Sequence, residues 1–239
     1  MTANDSLARP SLTGLAGATA AFAAGLLGGA LAILALAWLA AQTPVGGLTA
    51  QLLPAGGKTA WYLARSTGVV AYLLLSGSTV WGLALSTKVI REWAPPPLAL
   101  ALHGTLSWLA VGFAGFHAFI LLFDGYYQYT VADLLIPFTG PYRPAAVGLG
   151  IVGFYGLSLV TVSFGLRKWL GQRAWRRLHY LSFGLYILVT VHGLAAGADS
   201  GSPGIRAMYI ASALLVHFLT NYRLLTLAKP AVKAARVAG

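Results

Sequence analysis

The sequence predicts an all-α fold, a polytopic membrane bundle with six transmembrane helices. Hydrophobic residues make up 58% of the 239 positions and charged residues only 9%, a balance that excludes an ordinary soluble domain. The apolar residues fall into six long stretches, each near or above the ~20 residues that a spanning helix needs. Lys and Arg lie at the ends of these stretches, where membrane helices carry their charges.

The six stretches leave only short connections and tails between them. The first is longer than the ~7–15-residue apolar core of a signal peptide and follows a run with little positive charge, so we expect a retained helix. The predicted spans are Leu15–Ala41, Ser66–Ile90, Leu98–Phe123, Ala145–Leu166, Trp175–Ala196 and Ile205–Leu225.

The connection between the third and fourth spans, Asp124–Pro144, is long for a helical bundle. It is rich in aromatic residues: Tyr126, Tyr127, Tyr129, Phe138 and Tyr142. Two interpretations stay open at this point. The segment is an aromatic belt at the membrane interface, or it is a lid or docking surface on the outer side.

The distribution of basic residues predicts the orientation. With six spans both termini lie on one side, and that side carries 12 of the 16 Lys and Arg residues, against four on the other side. The positive-inside rule then places both termini in the cytoplasm. We expect an integral protein of the bacterial inner (plasma) membrane.

Several classes of chemistry are excluded because the sequence lacks the residues or motifs that they require. Cysteine is absent, which removes disulfides, iron–sulfur clusters, thiolate ligands and covalently attached c-type haem. The sequence contains neither a GxGxxG motif after a strand nor a P-loop, so we expect no dinucleotide site and no nucleoside triphosphate site. Nucleic-acid binding is not expected despite the net charge of +11, because helix-flanking charges account for the basic residues.

Four histidines lie in two pairs inside apolar spans. His103 and His117 are 14 residues apart, and His179 and His192 are 13 apart, so each pair is separated by roughly 20 Å along its helix. Both spans run from inside to outside, and their histidines match in depth. Ionisable groups within a membrane are functional by default. The pattern predicts two non-covalent b haems, with His103 and His179 on the inner iron and His117 and His192 on the outer iron.

Two details qualify this prediction. A step of 13 residues turns the side chain by well over a quarter-turn, so the fifth span needs a local change of winding, such as near Gly184, or haems attached at different azimuths. Zinc is the rival metal, but it favours ligands that are close in sequence.

Glycines flank the histidines and suit the close approach of a flat macrocycle: Gly104, Gly112, Gly115, Gly184 and Gly193.

Four further residues are candidates for binding the haems. Arg65 opens the second span on the outer side, where its guanidinium suits a haem propionate. Arg176 and Arg177 precede His179 and invite the same interpretation on the inner side. His217 lies near the inner level, where a helix–helix hydrogen bond, a propionate contact and an alternative ligand all remain open. No residue is assigned a catalytic role.

Residues 60–225 resemble the ferric-reductase-like transmembrane domain. The matching features are Arg65-Ser-Thr-Gly68, the pair His103 and His117, Leu135-Ile-Pro-Phe138, Tyr142-Arg-Pro144, and Trp175-Arg-Arg-Leu-His179 leading to His192. That family includes the membrane parts of NADPH oxidases and ferric reductases and the haem subunits of bacterial methionine sulfoxide reductases. The resemblance implies that residues 61–226 form a di-haem domain, with residues 1–60 as tail, first span and outer loop and residues 227–239 as a basic cytoplasmic tail.

The resemblance also implies a function and partners. The four histidines would hold two b haems, and electrons would pass from a cytoplasmic donor to an acceptor outside. We expect a redox subunit in the lipid bilayer that needs a separate flavoprotein, quinol or soluble donor and an extracytoplasmic redox partner. Whether the chain alone is an enzyme stays open. The alternatives are a quinol-oxidising cytochrome b of a respiratory complex and a non-redox membrane subunit that carries haem.

Overall fold

A computed structural model describes residues 58–87, 89–90 and 94–237, with side chains as far as residue 226. Within these ranges the regular structure is entirely helical. Its helices are α1 Lys58–Thr87, α2 Pro96–Ile120, α3 Val131–Leu135, α4 Pro144–Ser163, α5 Arg167–Leu170, α6 Gln172–Ala196 and α7 Pro203–Val237.

Five of these helices, namely α1, α2, α4, α6 and α7, are long and apolar enough to cross a bilayer. They correspond to the second to sixth predicted spans, so the membrane-helical class holds for the described part of the chain. The first predicted span, Leu15–Ala41, lies outside the described residues, and the count of six stays a prediction.

The predicted ends of the spans are less accurate than their existence. Helix α1 begins at Lys58, eight residues before the predicted start at Ser66. Helix α7 continues to Val237 through the segment predicted as a tail. The predicted spans stop at charged residues such as Arg65, whereas a helix can continue past a charged side chain into the membrane interface.

The helices associate in two antiparallel pairs that face each other. Helix α2 packs mainly on α1, and α6 mainly on α4, while α7 packs on α1. Glycines allow close approach in both pairs. On α4, for example, a Cβ at Gly153 would lie 2.7 Å from Val189, and one at Gly156 would overlap Leu185 of α6.

A hydrogen-bonded tyrosine cluster joins α1, α6 and α7 in the apolar centre. The hydroxyl of Tyr72 lies 2.8 Å from Ser212 Oγ and 3.2 Å from Tyr186 Oη. Thr190 donates to the same hydroxyl at 3.3 Å, and the ring of Tyr209 packs on Tyr72 with centroids 4.5 Å apart. Buried polar groups need such partners within a bilayer, where water does not reach them.

The outer connection is a folded segment held to the transmembrane helices. The side chain of Thr130 and the carboxylate of Asp133 form a reciprocal capping box at the start of α3. Tyr142 Oη donates to the carbonyl of Ala196, and Arg143 Nη1 donates to that of Ala195 at 2.6 Å. These two bonds satisfy carbonyls in the last turn of α6, which have no partner within the helix.

Helix α6 remains α-helical from Gln172 to Ala196. The change of winding considered near Gly184 is therefore absent. The alternative, haems attached at different azimuths, stays a prediction.

Candidate functional site

The structure brings together the four histidines in the two pairs that the depth match predicted. The ring centroids of His103 and His179 are 6.1 Å apart with an interplanar angle of 81°, and those of His117 and His192 are 6.4 Å apart with an angle of 73°. Each pair consists of one histidine from α2 and one from α6. We call the His103–His179 pair inner and the His117–His192 pair outer, after the predicted orientation.

Both separations suit one metal held between two imidazoles. A transition metal lies about 2 Å from an imidazole nitrogen, so each ring centre is about 3 Å from the metal and two axial rings are about 6 Å apart. Edge-to-face contacts between two rings cover about 4.5–7 Å as well.

Three of the four imidazoles are oriented by backbone carbonyls. The Nδ1–H of His117 donates to Ala64 O at 2.6 Å, and that of His192 donates to Ala146 O at 2.8 Å. His103 Nδ1 donates to the carbonyl of Ser78 at 3.1 Å. A proton on Nδ1 leaves the lone pair on Nε2, the tautomer that binds metal, and fixes the ring orientation.

The same three rings lie against glycines of the neighbouring helix. A Cβ on Gly68 would lie 3.0 Å from His117, and one on Gly82 would lie 3.0 Å from His103. On the other side of the bundle, a Cβ on Gly150 would lie 2.5 Å from His192.

The glycines proposed from the sequence are different ones. Gly104, Gly112 and Gly184 have nothing within 4 Å of an added Cβ, Gly115 faces Phe154, and Gly193 faces the hydroxyl of Tyr209. A signal for the correct ones existed: Gly68 and Gly82 are 14 residues apart, as are His103 and His117. In an antiparallel pair of helices, equal spacings bring matched residues together.

His179 is held differently. Among the described residues none forms a hydrogen bond with its ring, which instead stacks on Trp175 with centroids 5.2 Å apart and an angle of 24°. Continuing the register that sets Gly150 opposite His192 places Ser163, not a glycine, opposite His179.

A cavity of 320 Å³ lies between the outer pair and the outer connection, within the range of cofactor pockets. His117 and His192 line it, and the connection contributes a roof. The roof residues are Asp124, Tyr127, Tyr129, Leu134 and Tyr142. Residues of the aromatic connection thus form part of the cavity wall. Burial raises the pKa of Tyr129 to about 12, so its hydroxyl remains protonated at neutral pH.

Arg65 also lines the outer cavity, and its predicted contact with a propionate stays a prediction. Its guanidinium forms an ion pair with Asp199 and lies 3.8 Å above the ring of Trp61. Its buried Nε has no hydrogen-bond partner among the described residues. An unpaired buried donor is costly, and an anionic ligand group in the cavity would satisfy it.

A smaller cavity of 90 Å³ lies at the inner pair. Besides His103 and His179, its wall carries hydroxyl side chains and one cation, Arg223 of α7. The hydroxyl residues are Ser78, Thr79, Ser107, Thr161 and Ser182. Arg223 was missed in the sequence because it lies far from the histidines along the chain.

The other predicted inner residues are not brought to this cavity. Arg176 and Arg177 are exposed, and neither lines it. His217 is exposed on α7, where its Nε2 lies 3.1 Å from Nδ2 of Asn221. Its partner is therefore one turn away on its own helix, and the structure places it at neither histidine pair.

No group of three or more His, Cys, Asp or Glu that could hold a metal ion occurs in the described part of the chain. Each histidine pair offers two nitrogen ligands, enough for a metal whose other ligands come from a macrocycle. Comparison with family models, curated proteins and solved structures finds no match to this chain.

Proposed function

We propose that this chain is a transmembrane b-type cytochrome that carries two bis-histidine haems and conducts electrons across the bilayer. The observation that carries the proposal is the recurrence of one geometry at two depths. Two histidine pairs, both formed between α2 and α6, have ring centroids 6.1 and 6.4 Å apart. Nδ1–H bonds to carbonyls, found for three of the four rings, are the arrangement expected for histidines that bind metal.

The donor residues at both pairs suit non-covalent haems, since the chain has no cysteine for covalent attachment. The outer cavity of 320 Å³ is within the range of cofactor pockets, whereas the inner cavity of 90 Å³ is below it, so an inner haem would require the helices around His103 and His179 to move apart. Arg65 offers an unpaired buried donor to an outer propionate, and Arg223 offers a cation on the inner side. When bound, each haem would supply a one-electron carrier. His103 with His179, and His117 with His192, would hold the two haem groups.

The proposal includes partners on both sides. We assign the donor to the cytoplasmic side or the quinol pool, and the acceptor to the extracytoplasmic side, following the 12-to-4 bias of basic residues. A separate flavoprotein or other soluble carrier would supply electrons. The resemblance to the ferric-reductase-like transmembrane domain supports the same direction of transfer.

The first experiment counts haems in the purified chain. A pyridine haemochrome assay against protein concentration is expected to give two b haems per polypeptide. His103→Ala and His179→Ala should each abolish one low-spin signal, and His117→Ala and His192→Ala should each abolish the other. His217→Ala is the matched control and should retain both. One haem per chain, or a His117→Ala variant with both signals, would refute the proposal.

A second experiment separates electron transfer from the other candidate functions. In inside-out vesicles, reduction of both haems by a reduced flavoprotein supports the proposed direction. Rapid reduction by quinol that quinone-site inhibitors block would assign the chain to quinol-oxidising cytochromes. Haem that binds loosely and does not cycle would indicate a non-redox role.

A further inference from the structure

The inner pair is asymmetric in how its two rings are held. His103 has a carbonyl acceptor at Ser78 and packs on Gly82. His179 has neither a hydrogen bond nor a facing glycine among the described residues. Some other contact must set its orientation.

Trp175 supplies that contact. It precedes His179 by four residues on α6, so one helical turn brings the indole onto the imidazole. The rings are nearly parallel, at 24° and 5.2 Å. Phe164, just after α4, meets the indole edge-on at 5.8 Å and 63°. The indole is therefore held on one side by Phe164 and supports His179 on the other.

The contact is one of ring faces. Trp175 Nε1 is buried and has no hydrogen-bond partner among the described residues, so its N–H does not orient the ring. A phenyl ring at this position would retain the stack, whereas an aliphatic side chain would lose it.

We propose that Trp175 is the positioning residue for His179, and that, of the two histidines that would hold the inner haem, His179 is the one that depends on such a contact. The inference rests on the proposed function. A hydrogen bond from Nδ1 to a carbonyl makes an imidazole a stronger ligand, and His179 lacks this support. Arg223 lines the same cavity, and its positive charge further disfavours electron donation by this ring. Without the stack, His179 should leave the iron more readily than His103.

The test uses the full-length purified chain with four variants, Trp175→Phe, Trp175→Leu, Trp175→Met and Trp169→Leu. Trp169 is the matched control, since it precedes α6 on the same side, lines neither cavity and belongs to no aromatic pair within the described residues. The probe is carbon monoxide added to the dithionite-reduced protein, together with the low-spin signals of the oxidised protein.

Wild type, Trp175→Phe and Trp169→Leu should retain two low-spin haems and bind no carbon monoxide. Trp175→Leu and Trp175→Met should lose the inner low-spin signal in part and bind carbon monoxide at one haem per chain, with the outer signal intact as the internal measure of folding. If Trp175→Leu accumulates poorly, Trp175→Met decides.

Two outcomes would overturn the inference. Unchanged low-spin signals without carbon monoxide binding in Trp175→Leu or Trp175→Met would show that the stack does not hold His179. Equal effects in Trp175→Phe and Trp175→Leu would show that the ring face is not what matters. A wild-type chain without two haems would instead refute the proposed function, so the two failures are distinguishable.

Discussion

The imidazole of His117 occupies the space that a side chain at Gly68 would need, because a Cβ there would lie 3.0 Å from two of its ring atoms. The Nδ1–H of the same ring donates to Ala64, one turn earlier on α1. Helix α1 therefore sets both the position and the orientation of this ring, and α4 does the same for His192 through Gly150 and Ala146.

Alanine at these glycines should disturb the outer pair in a graded manner. Gly150→Ala would place a Cβ 2.5 Å from His192 and force the ring away, whereas Gly68→Ala requires a shift of only a few tenths of an ångström. We expect Gly150→Ala to lose most of the proposed outer haem and Gly68→Ala to lose less. Haem stoichiometry and low-spin spectra provide the measurement.

Gly77→Ala is the control for this series. It lies on α1 with nothing within 4 Å of the added Cβ, so it should keep both haems and gain up to about 1 kcal/mol of helix propensity. Full outer-haem occupancy in Gly150→Ala would contradict the assigned packing.

The sequence alone was sufficient for the parts of the fold that depend on composition and spacing. Apolar length located the five described spans, and equal depths paired His103 with His179 and His117 with His192. These properties follow from helix rise, which is nearly constant. They do not require knowledge of which faces of the helices meet.

The residues that the sequence did not reveal depend on helix packing. Arg223 reaches the inner cavity because α7 packs on α1, and Asp199 reaches Arg65 because the loop after α6 folds towards α1. Arg176 and Arg177 precede His179 closely, yet they point away from the cavity. Proximity along a helix is a poor guide to side-chain direction, since adjacent residues differ by about 100°.

The tyrosine cluster should contribute to stability, and two of its members, Tyr72 and Tyr209, also line the outer cavity. Tyr72→Phe removes the hydroxyl that contacts Ser212, Tyr186 and Thr190. Interhelical hydrogen bonds in membranes are worth about 0.6–2 kcal/mol, so we expect the free energy of unfolding in detergent to fall by about that amount. Tyr62→Phe, exposed on the same helix, is the control. Equal stability of both variants would argue against the network.

The helix cap in the outer connection should depend on pH. Hydrogen bonds from the hydroxyl and backbone N–H of Thr130 lower the pKa of Asp133. A lowered pKa means that the carboxylate stabilises the folded cap above its unfolded pKa, and that this stability is lost as the pH falls below about 4. The protection factors of the α3 amides, which correct the exchange rates for their intrinsic pH dependence, should fall there. The Asp133→Asn variant should lack this pH dependence. If exchange protection of α3 varied with pH in the same way in both proteins, Asp133 would not be the group that stabilises the cap.

Arg223 should tune the proposed inner haem, whereas Arg177 should not. A nearby cation favours the reduced, less positive centre, so Arg223→Gln should make the inner haem harder to reduce. Arg177→Gln removes the same charge from an exposed position outside the cavity and is the matched control. The measurement is redox titration of both variants. A shift of the inner midpoint potential in Arg177→Gln alone would favour the sequence-based prediction, in which Arg177 contacts the inner haem.

Arg65 and Asp199 should tune the proposed outer haem in opposite directions. Both line the outer cavity and form an ion pair. Removing the cation in Arg65→Gln should lower the midpoint potential, whereas removing the carboxylate in Asp199→Asn should raise it and free the guanidinium for a propionate. At a separation of about 10 Å and an effective dielectric constant of about 20, one charge is worth about 1–2 kcal/mol, and partial solvent exposure reduces this value. Redox titration resolves the two haems, and the inner potential is the internal control. Shifts of the same sign in both variants, or unchanged potentials with full haem content, would remove this ion pair from the outer site.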